Sequence, residues 1–308
     1  MIFRRMLFAL GMVLSTGLVY GSTYKSLVVF GDSYSDNGNT YRVSANTYPT
    51  TMRYFQGRFS NGPVWSEYFA QKIGLDPSDY CVFRNYAYGQ AQSFGYVTLN
   101  THRLNEAWQF VVPDLKGEIA EYLRQGNEDI QNTLFVIYIG TNDILNREDI
   151  MHIDSKRAIF DMVAPQEEAV NTLQDLGARH IILLLARDLA QTPLAKQQAK
   201  KYAEKHDQVT EKAYLTRLNQ FIQEYNQYLK ERFKNSSHVF LFDTYAFDKE
   251  ALKKDPKTAC YVNEGNYVDP MGPGCRNPNA HFYYDRVHLG REASQKMAQA
   301  VYQKFVEK

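Results

Sequence analysis

The chain has 308 residues, 44% of them hydrophobic, with 35 basic and 34 acidic side chains. That length accommodates one large domain with a sizeable core. The near-neutral charge leaves no electrostatic basis for binding nucleic acid or a strongly anionic membrane.

At the N-terminus, "MIFRRMLFALGMVLSTGLVYG" places Arg4 and Arg5 ahead of the apolar stretch Met6–Val19. With Val19 and Gly21 at the −3 and −1 positions, the pattern predicts an export signal over residues 1–21, cleaved near Gly21 or Ser22. The alternative is an uncleaved membrane anchor, for which the apolar stretch is short. Cleavage removes two arginines and no acid, leaving 33 basic against 34 acidic side chains, a net charge of −1. Residues 22–308 are then expected to form a single periplasmic or extracellular domain.

Five apolar runs follow, and each reads as a strand: 26–31 (SLVVFG), 81–87 (CVFRNYA, the weakest), 133–140 (TLFVIYIG), 180–186 (HIILLLA) and 238–243 (HVFLFD). They are rich in Val, Ile, Leu and Phe and mostly lack alternation, as strands covered on both faces do. Helical spacing lies between them. Residues 166–178 carry one amphipathic pattern, with Gly177 as a stop. Leu218, Phe221, Ile222, Tyr225 and Leu229 form an apolar face over 213–233, and 293–308 close the chain as a helix. The alternation predicts one α/β domain with a parallel sheet and right-handed crossovers. Stretches 38–62, 88–105, 187–200 and 245–285 read as irregular. Most follow a strand's C-terminal end, the edge where open α/β sheets bind ligands. The 23 tyrosines and 18 phenylalanines exceed the needs of a plain core, so some are expected to line a groove.

The chemistry starts at "FGDSYSDNGN", where Ser33 ends the first strand and the chain should turn into a helix. A helix N-terminus there would favour developing negative charge. A serine nucleophile needs a base. "YYDRVHLG" supplies His288, with Asp285 three residues earlier to fix the imidazole tautomer. Asn142, in "IYIGTNDIL", follows the third strand at the same sheet edge, where its amide could donate to an oxyanion; it could equally cap a helix. Gly89 follows the second strand and permits close backbone approach. The expected oxyanion hole therefore comprises the Ser33 and Gly89 N–H groups and the Asn142 amide. Three weaker candidates compete. Ser93 in "AQSFG" resembles a nucleophile elbow but has no strong strand before it. His281 precedes the acid instead of following it. "DSYSDNGN" lacks the glycine and glutamate of a calcium loop. Asp36 is expected to hold the turn after Ser33.

Together these blocks make the chain resemble the GDSL/SGNH family of esterases and lipases. Gly31-Asp32-Ser33 matches the first block, Gly89 the second, Gly140-x-Asn142-Asp143 the third, and Asp285-x-x-His288 the last, in order across nearly all of residues 22–308. "GRFSNGPVWSEYFA" (57–70) also looks like a segment of the longer members. Gln90 departs from the pattern, standing where many relatives carry a second glycine. The resemblance implies a three-layer αβα sandwich with a flavodoxin-like five-stranded parallel sheet, and ester hydrolysis with no cofactor and no metal. Within the family, the form of the first block and the cysteine-bounded loop before Asp285 look most like the bacterial branch of secreted lysophospholipases A and glycerophospholipid–cholesterol acyltransferases. That likeness implies a lysophospholipid or phospholipid substrate met at a membrane or micelle surface, by a monomer. A short-chain carboxylesterase, or a lipid- or carbohydrate-binding module on the same fold, is the alternative. Export makes a disulfide permissible. Cys260 and Cys275 flank a Gly/Pro/Asn-rich loop that such a bridge would pin, leaving Cys81 as a small buried apolar residue.

Overall fold

The computed structural model describes residues 24–50, 53–103, 106–126, 129–254 and 281–307. The expected export signal and both Cys260 and Cys275 lie outside the described residues. In chain order the elements are β1 (Ser26–Gly31), α1 (Asn39–Val43), α2 (Trp65–Lys72), β2 (Phe83–Asn85), β3 (Val97–Arg103), β4 (Glu106–Val112), α3 (Leu115–Gln125), β5 (Thr133–Tyr138), α4 (Thr141–Leu145), α5 (Ser155–Asp175), β6 (His180–Leu184), α6 (Pro193–Lys205), α7 (Glu211–Phe233), β7 (Val239–Phe242), α8 (Thr244–Lys254) and α9 (Arg291–Phe305).

Five strands pair in the order β2-β1-β5-β6-β7, all parallel. Each of the five apolar runs contains one of them. The strand side chains divide strictly by parity. Val28, Phe30, Phe135, Ile137, Ile181 and Leu183 enter one apolar cluster, with Ile119 of α3, Val163 of α5 and Phe221 of α7. Leu27, Val29, Leu134, Val136, Ile182 and Leu184 enter the other, with Phe69 of α2 and Met297 of α9. Helices therefore cover both faces, and this is why the strands read as unbroken apolar runs instead of alternating ones. Each fully buried Leu, Ile, Val or Phe contributes roughly 1.5–3 kcal/mol of transfer free energy, so the two layers together outweigh any single polar contact.

Three local expectations are corrected. The stretch 88–105 is not wholly irregular, because β3 and β4 form an antiparallel hairpin, Val97 opposite Val112, separate from the main sheet. The second strand is only three residues long, since Val82 and Phe83 donate back to Asp79 O in a turn. That turn leaves Cys81 exposed, with its N–H on Asp79 Oδ1, so it is not a buried apolar residue.

Candidate active site

The first segment of the site is the turn after β1. Gly31 has φ 149°, and a Cβ there would sit 2.1 Å from Tyr138 O, so only glycine lets β1 end this close to β5. Its N–H donates to Glu118 Oε2 of α3 at 2.8 Å. Ser35 and Asp36 donate their N–H groups to Asp32 O, and Tyr34 donates its N–H to Asp32 Oδ1, closing a tight turn around Ser33. The expected helix does not begin here; α1 starts at Asn39. Its N-terminal N–H groups are met by Asp36, which accepts from Gly38, Asn39 and Thr40. Asp36 thus organises the turn, as the sequence suggests.

The second segment is 281–290, folded back on itself through the bridge Tyr283–Leu289. Tyr284 N–H donates to His288 O at 2.7 Å, and Gly290 N–H donates to Phe282 O at 3.0 Å. This reversal puts Asp285 and His288 side by side. His288 Nδ1 lies 2.6 Å from Asp285 Oδ2, and His288 Nε2 lies 2.7 Å from Ser33 Oγ. Asp285 Oδ1 accepts the N–H groups of Val287 (2.8 Å) and His288 (2.7 Å). All three side chains are buried. Burial opposes ionisation of Asp285, but the His288 charge and these hydrogen bonds outweigh it and hold the carboxyl at about 2. At Asp32 burial outweighs the hydrogen bonds from Tyr34 N–H and Thr141 and the pull of His288, and pushes the carboxyl up to about 6. The geometry suits proton transfer from Ser33 Oγ to Nε2, with the developing imidazolium facing an ionised carboxylate. His288, and not the rival His281, makes this contact.

Asn142 is buried in the first turn of α4, whose N-cap is Gly140, so Asn142 does not serve as the cap. Its Nδ2 donates one hydrogen to Ala91 O at 2.8 Å, which fixes the amide and leaves the second hydrogen for a ligand. The expectation for Gly89 is corrected. Its N–H is shared between Asp36 Oδ2 (2.9 Å) and Thr40 Oγ1 (2.6 Å), so it is not aimed at a reacting oxygen. Glycine is still required there, because a Cβ would fall 2.3 Å from the Phe59 ring. Gln90 has φ 71°, a left-handed backbone at the position where the resemblance leads one to expect glycine. Ser93 is buried against Asp143, to which its N–H donates at 2.9 and 3.1 Å, and it ends no strand.

Several site residues escape sequence reasoning. Tyr54 donates its hydroxyl to Asp285 Oδ2 at 2.8 Å. Tyr34 donates to Val287 O at 2.7 Å and presents its ring to His288 at 5.7 Å. Beneath Tyr34 lies the buried Arg187, 4.6 Å from the ring centroid and paired with Asp248 of α8 through Nε at 2.8 Å. The surplus of tyrosines was the available signal, but nothing in their spacing singles out 34 and 54. A large groove of about 1490 Å³ runs between the start of α5 and α7. None of Ser33, Asn142 or His288 lines it. Among the described residues no group of three or more potential metal ligands gathers, and no helix is long and apolar enough to cross a membrane.

Comparison with known proteins accords with this arrangement. The chain is 29% identical over 241 residues to the thermolabile hemolysin of Vibrio parahaemolyticus, covering 77% of this chain and 49% of that protein. It is 31% identical over 176 residues to the phosphatidylcholine-sterol acyltransferase of Aeromonas hydrophila, covering 57% and 48%. A GDSL esterase/lipase of Arabidopsis thaliana is 22% identical over 323 residues, covering 94% and 92%. The chain thus spans about half the length of the two bacterial relatives. The sequence profile of the GDSL-like lipase/acylhydrolase family matches residues 27–301, from the second residue of β1 into α9, and the chain belongs to that family.

Proposed function

We propose that the protein is an exported serine hydrolase that cleaves acyl esters of glycerophospholipids, lysophospholipids foremost. The observation that carries this reading is the Ser33–His288–Asp285 relay, with contacts of 2.7 and 2.6 Å, beside the anchored amide of Asn142. Ser33 Oγ attacks the acyl carbonyl while His288 Nε2 takes its proton. The tetrahedral oxyanion is met by the Ser33 N–H and the free hydrogen of Asn142 Nδ2. His288 returns the proton to the leaving glycerol oxygen, and water, activated by the same imidazole, releases the fatty acid. Asp285 orients His288 and stabilises its cationic form throughout. No step needs a metal or cofactor.

The lipid substrate is supported by the likeness to the hemolysin and the sterol acyltransferase. The latter also supports a second reading, in which a sterol hydroxyl replaces water and the acyl group is transferred. Export rests on the pattern of residues 1–21. The test is a panel of lysophospholipid, diacyl phospholipid and short-chain nitrophenyl ester, each with and without cholesterol, run on the parent and Ser33→Ala. The expected result is fastest turnover of lysophospholipid, abolished by Ser33→Ala. Fastest turnover of the soluble short-chain ester would replace the reading with a general carboxylesterase. Full activity of Ser33→Ala would end it.

A further inference from the structure

We propose that Tyr54 is a positioning residue of the Ser33–His288–Asp285 relay, donating its hydroxyl to Asp285 and thereby setting how strongly that carboxylate holds His288. The inference deepens the catalytic reading above and rests on it. Tyr54 comes from the loop after α1, 231 residues before Asp285 in sequence, yet its hydroxyl stands 2.8 Å from Oδ2. The same oxygen lies 2.6 Å from His288 Nδ1. Oδ1 is already occupied by the Val287 and His288 N–H groups. Two donors therefore share Oδ2, and each draws charge from the bond the other makes. Asp285 is the sole member of the relay that Tyr54 reaches through a hydrogen bond, so its influence on His288 passes through the carboxylate.

Two features keep the phenol in this role. Burial, followed by the charge of Asp285, raises the Tyr54 hydroxyl well above its ordinary range, so it stays protonated and remains a donor. The ring is held edge-on between Tyr284 (5.5 Å) and Phe59 (6.1 Å), and Phe59 in turn covers the His288 ring at 5.1 Å. Removing only the hydroxyl leaves this aromatic packing in place. Other titratable or charged groups face the same region: Asp32 and Tyr34 from the β1 turn, Tyr48 on the loop of Tyr54, Tyr284 beside Asp285, and Arg187 behind Tyr34, whereas Arg286 turns away to Gln197 of α6. Tyr54→Phe alters none of them, so the difference between variant and parent isolates the one hydrogen bond.

The test uses two substitutions of opposite sign. Tyr54→Phe removes the donor. Site-specific 3-fluorotyrosine at position 54 makes it a stronger one. In Tyr54→Phe, Oδ2 binds Nδ1–H more strongly, so the low-field proton resonance of that hydrogen bond moves to lower field. The acid limb of the kcat/KM profile moves up by roughly 0.5–1 pH unit. Fluorotyrosine moves both readouts the other way. A tyrosine that merely fills space moves neither the resonance nor the limb, and unchanged values in both variants overturn the proposal. The resonance is read without turnover, so it is decisive even if the catalytic reading fails. Loss of that reading is recognised separately, by an active Ser33→Ala.

Discussion

At position 142 the amide is held by one bond to Ala91 O, and its remaining hydrogen meets no acceptor among the described residues. If that hydrogen meets the oxyanion, Asn142→Ala should lower kcat by about 10²–10³ with little change in KM. Steady-state kinetics beside an unchanged thermal melt checks this; a kcat within twofold of the parent removes Asn142 from the hole. Glu118 raises a different question. Its carboxyl is fully buried, accepts the Gly31 N–H, and is pushed well above the ordinary carboxylate range, first by burial and further by Asp32 and Asp36. A carboxyl with a raised folded-state value binds its proton more tightly folded than unfolded. Its stabilising contribution is present below the ordinary value and is lost as pH rises through the raised one. Glu118→Gln keeps an oxygen for Gly31 without the titration. The melting temperature of the parent should therefore fall more steeply toward alkaline pH than that of the variant, and parallel curves would show that Glu118 is ionised in the fold.

Between elements, the pair Arg187–Asp248 joins the segment that follows β6 to α8, directly under the Tyr34 ring. Both side chains are inaccessible to solvent. Breaking such a pair leaves a buried charge uncompensated, and Asp248→Ala should cost about 3–5 kcal/mol of stability in urea unfolding. The double variant Arg187→Met/Asp248→Ala should recover much of that loss; equal destabilisation in both would place the cost in packing alone. This pair also marks a limit of sequence reading. The five strands were legible because two-sided burial writes each as a continuous apolar run, and the apolar face of α7 because Leu218, Phe221, Ile222, Tyr225 and Leu229 repeat at helical spacing. Asp285 and His288 were legible because both lie on one short loop. Arg187 and Asp248 were not, since 61 residues separate them and only the parallel crossover brings them together. The β3–β4 hairpin went unread because it stands outside the main sheet, with one side exposed, as at Val111, and Phe110 and Val112 buried on the other. The pattern at 166–178 captured only the second half of α5, which begins at Ser155, capped by Asp154, and continues through Pro165.

Across the whole molecule, the site is assembled from the two ends of the fold. Ser33 and His288 are 255 residues apart in sequence and meet at 2.7 Å. Ser33 follows the strand that lies between β2 and β5, and His288 precedes α9, which packs with α2 against the opposite side of that strand through Met297, Phe69 and Trp65. The position of His288 therefore depends on the α2–α9 layer being docked. Met297 is fully buried in that layer, and Met297→Ala should cost about 2–5 kcal/mol. If docking of α9 and closure of the sheet are one cooperative event, activity and far-ultraviolet circular dichroism should be lost at the same urea concentration. In Met297→Ala both midpoints should then shift down together, with turnover per folded molecule unchanged before the transition. Loss of activity at a distinctly lower urea concentration than loss of helix would show the opposite: that 281–290 and α9 detach as a separate unit while the sheet stays folded. The Tyr34–Val287 and Tyr54–Asp285 hydrogen bonds both argue for the cooperative outcome, because each ties the histidine loop to a different part of the rim.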